Sequence, residues 1–161
     1  MAPSPRIHTL AQSVVKAATD RGKIIAAAES CTGGMVGAAI TDIPGSSAIF
    51  DRGFITYSNE AKSELLGVPA LLIETHGAVS REVAEAMAEG ALAHSRADIA
   101  VAVTGVAGPA GGTPDKPVGL VWFGLATRGG VRTERRVFSG TRGEVRRKSV
   151  ETALELIAST I

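Results

Sequence analysis

Two adjacent serines and one later lysine are the residues here whose types could supply a nucleophile and its base. Ser46 and Ser47 follow a Pro-Gly turn, and Lys62 comes fifteen residues after Ser47. A serine hydroxyl attacks poorly until a base takes its proton, and a lysine becomes such a base once burial lowers its pKa. These residue types therefore allow nucleophilic catalysis, although their spacing by itself does not single it out. The alternative is that these serines cap a helix and that Lys62 is solvated, as helical lysines usually are.

A polar, glycine-rich segment follows the first predicted strand and leads into a helix. It contains Thr32, Gly33 and Gly34, and the backbone N–H groups at such a helix start can hold an anion such as a phosphate. The segment departs from the dinucleotide-binding fingerprint, because its leading glycine is absent and no acidic residue closes the second strand at Tyr57. It predicts an anion or nucleotide site rather than an NAD site. The alternative is a glycine-rich helix start packed closely on the sheet.

The sequence does not support metal chemistry or the common hydrolase motifs. Cys31 is the one cysteine, and the three histidines lack the H-E-x-x-H spacing of zinc hydrolases. No G-x-S-x-G elbow is present to serve a Ser-His-Asp triad. We therefore expect neither a metal nor a bound cofactor, and we expect Cys31 to be a small buried residue rather than a reactive thiol.

Positive charge is concentrated in the last third of the chain. Eight basic and two acidic residues lie between Arg128 and Lys148, although the whole chain has a formal net charge of +1. Such a region can attract a phosphate-bearing ligand or nucleic acid, or it can be a solvated strand and helix face. Phe138 is the one aromatic residue in it, so base stacking is not supported and we do not expect a nucleic-acid partner.

Helices alternate with short apolar strands along the 161 residues. This pattern predicts one α/β domain over residues 1–161, a three-layer α/β/α sandwich whose mixed sheet is mostly parallel with an antiparallel hairpin at one edge. Aromatic residues make up 4% and glycine counts 19, so the core must consist of Ala, Val, Ile and Leu. The predicted strands are 23–28, 53–57, 98–104, 118–126 and 131–138. The predicted helices are capped at Ser4, Asn59, Ser80 and Thr141, with a short helix from Met35.

In such a sheet, ligands bind beyond the carboxyl ends of the strands. The segments after Ala28, Tyr57 and Thr104 are therefore the expected binding region. The loop 105–117 follows the third of these strands, and its thirteen residues without predicted structure are long enough to suggest a functional role.

Six short blocks, in one order over nearly the whole chain, carry a resemblance to a known family. They are Ala28–Gly34 (AESCTGG), Gly45–Ser47 (GSS), Gly53–Lys62 (GFITYSNEAK), His76–Ser80 (HGAVS), Thr104–Pro109 (TGVAGP) and Lys116–Gly119 (KPVG). Together they resemble the CinA C-terminal domain family, also called the competence/damage-inducible family. The resemblance extends from about Leu10 to Ile157.

The resemblance implies a nicotinamide-nucleotide amidase, which hydrolyses nicotinamide mononucleotide to nicotinic acid mononucleotide and ammonia without a metal. It implies a nucleophile at Ser47, with Ser46 as the second choice, a base at Lys62 and a further catalytic group at Tyr57. The expected substrate-binding residues are Ser30, Thr32, Gly33, Gly34, Ser46, Thr104, Gly105, Arg142 and Arg146, with one of the two arginines on the phosphate.

The resemblance also implies a homodimer or a larger homo-oligomer. No long apolar run follows Met1 or occurs elsewhere, so the sequence predicts a cytoplasmic protein with no membrane partner. The main alternative function is a catalytically silent nucleotide-binding module of a competence or DNA-damage pathway. Direct DNA binding through the basic third is a further alternative, and it predicts steep salt dependence.

Overall fold

Two buried strands form the centre of the molecule. In the computed structural model, which describes residues 4–161, β1 (Ile25–Glu29) pairs in parallel with β3 (Ile99–Gly105). All five residues of β1 and the first six of β3 are buried. This double burial explains why residues 25–28 of β1 and 99–103 of β3 are continuous apolar runs in the sequence. The first three residues of the predicted 1–161 domain lie outside the described range.

Three further strands complete a mixed sheet: β2 (Phe50–Ile55), β4 (Leu120–Thr127) and β5 (Gly130–Val137). The order across the sheet is β2-β1-β3-β4-β5, with β2 parallel to β1 and the β4–β5 hairpin at the opposite edge. The mixed sheet and its antiparallel edge are therefore confirmed. The expectation that most pairings are parallel needs correction, because β3 also pairs antiparallel with β4 and only two of the four pairings are parallel.

Helices cover both faces of the sheet. One layer consists of α1 (Pro5–Arg21), α2 (Met35–Thr41) and α6 (Arg142–Ala158), and the other of α3 (Asn59–Leu66), α4 (Ala70–His76) and α5 (Arg81–Ala93). Each layer packs its own cluster of buried side chains on the sheet, and successive residues of β1 belong to opposite clusters, as alternation along a strand requires. The predicted three-layer sandwich is confirmed. No helix within residues 4–161 is long and apolar enough to cross a membrane.

Capping residues in the sequence predicted most of the helix starts correctly, but not all of them. The predicted caps at Ser4, Ser80 and Thr141 are confirmed, whereas α3 is capped by Ser58 rather than Asn59, since Ser58 Oγ accepts from the Ala61 N–H at 3.1 Å. The sequence did not predict α4. That helix has seven residues and buries one of them, Ile73. It is therefore too short for a repeat of buried apolar positions to be visible in the sequence.

Small residues allow the helices to approach the sheet closely. Gly124 of β4 lies against the Ala84 carbonyl of α5, and a Cβ atom at position 124 would overlap that carbonyl. This close packing explains how a chain so poor in aromatic residues fills its core.

Candidate active site

The Lys62 side chain in α3 is buried, with 1% of the residue exposed. Its Nζ atom donates hydrogen bonds to the Thr56 carbonyl at 2.9 Å and to Ser30 Oγ at 3.1 Å. The carbonyls of Tyr57 and Ser58 lie at 3.3 and 3.4 Å. All three carbonyls belong to the segment between β2 and α3, so the chain that leads into the helix also surrounds the amine. Lys62 is therefore not the solvated lysine of the alternative interpretation.

Burial lowers the pKa of Lys62 below its ordinary value, because removal from water disfavours the charged ammonium. The neighbouring Cys31 and Glu60 act in the opposite direction and oppose the shift less strongly. The direction of this shift is the one that a general base needs near neutral pH.

Ser30 is placed at the carboxyl end of the central strand. Its N–H donates to the Val103 carbonyl at 2.9 Å, which continues the pairing of β1 with β3 by one residue. The chain then turns, and the Gly33 N–H donates to the Ser30 carbonyl at 3.0 Å. Gly33 and Gly34 have φ values of +57° and +104°, a region that favours glycine, so the turn depends on this pair of glycines. Ser30 is 8% exposed and its hydroxyl faces Lys62.

Two amide groups follow Ser30 in the turn, that of Cys31, which is 6% exposed, and that of Thr32, which is fully buried. Within residues 4–161, neither the Cys31 N–H nor the Thr32 N–H donates to a backbone carbonyl. The Cys31 N–H, directly after the serine, is therefore the amide that could stabilise an oxyanion formed on that serine's target.

Ser30 and Lys62 open onto a pocket of about 300 Å³. Tyr57, Thr104, Gly105 and Arg142 line the same pocket, together with residues of the loop after β3. The predicted site residues at the ends of β1, β2 and β3 are thus brought together, as expected for the carboxyl edge of a parallel sheet. The Thr104 hydroxyl donates to the Ala78 carbonyl at 2.8 Å, which leaves its oxygen as an acceptor at the pocket wall.

The expected contact between Ser47 and Lys62 is not formed. Ser46 and Ser47 lie in a short 3₁₀ helix (Ser46–Ala48) just before β2, and Ile49 accepts a hydrogen bond from the N–H of Ile25 at the start of β1. The two serines are therefore at the amino edge of the sheet, while Lys62 is at the carboxyl edge. The five residues of β1 separate these edges by about 16 Å. The assignment of Ser47, or of Ser46, as the partner of Lys62 was wrong, and Ser30 occupies that place.

Tyr57 contacts Lys62 through its main chain and not through its hydroxyl. The ring is exposed, and its hydroxyl accepts a hydrogen bond from Arg142 at 3.1 Å. Arg142 also donates to the Gly108 carbonyl at 2.7 Å, so it joins the tyrosine to the loop after β3. The Tyr57 hydroxyl, expected from the resemblance to be a further catalytic group, is therefore held by Arg142 and does not contact Lys62.

Arg146 and the glycine-rich helix start are outside the pocket wall. Arg146 Nε donates to the Cys31 carbonyl at 3.0 Å, which directs the guanidinium toward the turn rather than into the pocket. The start of α2 is already occupied by the Glu29 carboxylate, which accepts from the N–H groups of Val36 and Gly37. The sequence predicted an anion site at Thr32–Gly34. A phosphate bound there would be repelled by the Glu29 carboxylate.

Cys31 lines the pocket wall beside Ser30 but is 6% exposed. Burial raises the pKa of its thiol to about 11, so the group stays protonated near neutral pH. The prediction of a small buried residue is confirmed.

Comparison with known proteins shows the family of this chain. The sequence model of the CinA C-terminal domain matches residues 7–161. This chain belongs to that family. Within the CinA C-terminal domain family, the nicotinamide-nucleotide amidohydrolase PncC of Escherichia coli strain K12 is 52% identical over 149 residues, which cover 92% of this chain and 90% of that protein. A competence-damage inducible protein of Symbiobacterium thermophilum is 52% identical over 159 residues, and these cover 93% of this chain and 37% of the relative.

Solved structures of CinA proteins have the same fold. The competence/damage inducible protein CihA from Agrobacterium tumefaciens superposes with a TM-score of 0.96 at 46% identity, covering 99% of this chain and 98% of its own. A competence damage-inducible protein from Klebsiella pneumoniae superposes with a TM-score of 0.92 at 40% identity. The chain thus corresponds to nearly the full length of some relatives and to about a third of others.

Proposed function

We propose that this chain is a nicotinamide-nucleotide amidohydrolase, which converts nicotinamide mononucleotide and water to nicotinic acid mononucleotide and ammonia. The observation that carries the proposal is the buried Lys62 amine, hydrogen-bonded to Ser30 Oγ in the wall of a pocket. Relatives named for this activity, 52% identical over 92% of the chain, support it.

Ser30 is the proposed nucleophile and Lys62 its base. A neutral amine carries two protons and one lone pair. The carbonyls of Thr56 and Tyr57 can accept the two protons, which directs the lone pair at the Ser30 hydroxyl. Ser30 Oγ then bonds to the carboxamide carbon, the C=O electron pair moves to the oxygen, and Lys62 takes the hydroxyl proton.

Lys62 returns the proton as the intermediate collapses. The C–N bond breaks, the departing nitrogen takes the proton from Lys62, and ammonia leaves an ester on Ser30. Water then attacks the ester with Lys62 again as base, which frees the acid and restores the serine. The Cys31 N–H would hold the oxyanion in both steps, and one such donor is typically worth about 10²- to 10³-fold in rate.

Arg142 is the proposed partner of the substrate phosphate. It and Lys62 are the two cationic side chains in the pocket wall, and Lys62 must be neutral to act as a base. Replacement of Arg142 by glutamine removes a charge-assisted hydrogen bond, so KM should rise about 10- to 100-fold with a smaller change in kcat. Arg147→Gln is the matched control, because Arg147 is exposed one turn farther along α6. Equal KM values for the two variants would contradict the assignment.

The direct test of the function is ammonia release. Purified protein incubated with nicotinamide mononucleotide should produce ammonia and nicotinic acid mononucleotide in equal amounts, measured by a coupled assay and by chromatography. Binding without turnover would instead favour the catalytically silent nucleotide-binding module.

We also propose that the chain pairs with a second copy along the free edge of β2. This edge has no strand neighbour among the described residues, and the side chains of Ile55 and Tyr57 near it are 56% and 61% exposed. Sedimentation velocity measures the mass, and a single species of 16.5 kDa at all concentrations would contradict the pairing.

A further inference from the structure

Glu29, the residue before Ser30, carries a buried carboxylate that the proposed chemistry does not use. It is 2% exposed and lies outside the pocket wall. Its Oε1 accepts from Thr32 Oγ1 at 2.7 Å and from the Val36 N–H at 2.8 Å, and its Oε2 accepts from the Gly37 N–H at 3.0 Å. All three donors follow Ser30 in the chain, so the carboxylate joins the end of β1 to the start of α2 across the turn.

The main chain of Glu29 connects the same residue to the lysine. Its carbonyl accepts from the Thr56 N–H at 2.9 Å, and the Thr56 carbonyl accepts from Lys62 Nζ at 2.9 Å. Glu29 therefore acts on both members of the Ser30–Lys62 pair. Its side chain fixes the turn that follows Ser30, and its backbone carbonyl fixes Thr56, whose own carbonyl binds Lys62.

Arg146 holds the opposite side of the turn. It donates to the carbonyls of Cys31 and Thr32 at 3.0 and 3.4 Å, while Glu29 takes the hydroxyl of Thr32. With its carbonyls bound on one side and its hydroxyl on the other, the turn after Ser30 is held from both sides.

We propose that Glu29 is a positioning residue, whose carboxylate fixes the turn after Ser30 so that the Ser30 hydroxyl meets Lys62. This inference rests on the proposed amidohydrolase function. A carboxylate suits the place because it is an acceptor only and faces three donors. A glutamine of the same size would turn its NH₂ group toward at least one of those donors.

The test compares three variants of the full chain. Glu29→Gln should lower kcat about 10- to 100-fold with KM within about twofold, because a small displacement of reacting groups is costly while the pocket wall is unchanged. Thr32→Val removes one of the three hydrogen bonds and should lower kcat less, and it keeps the test usable if Glu29→Gln does not fold. Ala39→Gly destabilises the same helix, α2, but leaves Glu29 in place, so its kcat and KM should match those of the unmodified protein.

An inhibition constant separates positioning from simple loss of folded protein. In the nucleotide analogue with an aldehyde in place of the carboxamide, Ser30 Oγ adds to the aldehyde carbon and the hydroxyl proton moves through Lys62 to the new oxyanion. The inhibition constant KI does not depend on the amount of folded enzyme. We expect KI to rise about tenfold or more in Glu29→Gln and to stay unchanged in Ala39→Gly.

Two results would overturn the role of Glu29. One is unchanged kcat and KI in Glu29→Gln or, if that variant does not fold, in Thr32→Val. The other is an equal loss of kcat in the glutamine and Ala39→Gly variants with KI unchanged, which would mean that Glu29 only stabilises the helix. Failure of the function itself is distinguishable, because the unmodified protein would then release no ammonia from nicotinamide mononucleotide.

Discussion

Replacement of Ser30 by alanine should lower kcat for nicotinamide mononucleotide about 10⁴-fold or more, because no other hydroxyl lies within hydrogen-bond reach of Lys62 Nζ in the described structure. KM should change little, since Arg142, the proposed partner of the phosphate, remains. Ammonia release at saturating substrate measures the loss, and an unchanged melting temperature shows that the variant is folded.

The variant Ser47→Ala tests whether the nucleophile is Ser30, as the structure indicates, or Ser47, as the resemblance implied. Ser47 lies at the amino edge of the sheet, so this variant should keep nearly all of the activity. If Ser47→Ala lost activity as Ser30→Ala is expected to, the assignment of the nucleophile to Ser30 would be refuted.

Replacement of Lys62 by methionine should lower kcat about 10³-fold. Methionine fills a similar volume in the buried site but cannot accept the proton of Ser30, and general bases contribute about 10²- to 10⁴-fold. Lys23→Met is the matched control, because Lys23 is an exposed lysine just before β1. Undiminished ammonia release by the Lys62 variant would exclude the amine as the base.

The pH dependence of the rate tests the charge state of Lys62. Burial lowers the pKa of this group, and only its neutral form can take a proton. The value of kcat/KM for the unmodified protein should therefore rise with pH as the folded enzyme loses the Lys62 proton, and it should level off above that pKa, at a pH below the 10.5 of an ordinary lysine. The Lys62→Met variant should lack this rise. A profile that falls over the same range would mean that the charged ammonium is the active form.

The positions of Arg142 and Arg146 show how two similar residues on one helix take different parts. One turn apart on α6, they were equal candidates for the phosphate in the sequence. Arg142 reaches the pocket and the Gly108 carbonyl, whereas Arg146 reaches the carbonyls of the turn after Ser30. Helical spacing puts both on one side of α6, and the segment that lies opposite each arginine decides what its guanidinium contacts.

Much of the fold follows from local patterns along the chain. Continuous apolar runs predicted β1 and β3, capping residues predicted the starts of α1, α5 and α6, and Gly129 and Gly130 between two predicted strands suit the hairpin turn. The binding edge could also be predicted, because parallel strands end together and the segments after β1, β2 and β3 must meet. Ser30 stood at the end of the first buried strand, so that rule could have favoured it over Ser47.

The sequence by itself determined the elements, the chemistry-bearing residue types and the edge of the sheet where they meet. Only the tertiary structure decided which serine faces Lys62 and that Glu29 occupies the start of α2. Periodicity and capping are properties of neighbouring residues, whereas the pairing of residues 30 and 62 depends on strand order and direction. A strand lies between Ser47 and Lys62, and its length carries the chain from one edge of the sheet to the other, so the serine nearer in sequence is the more distant in space.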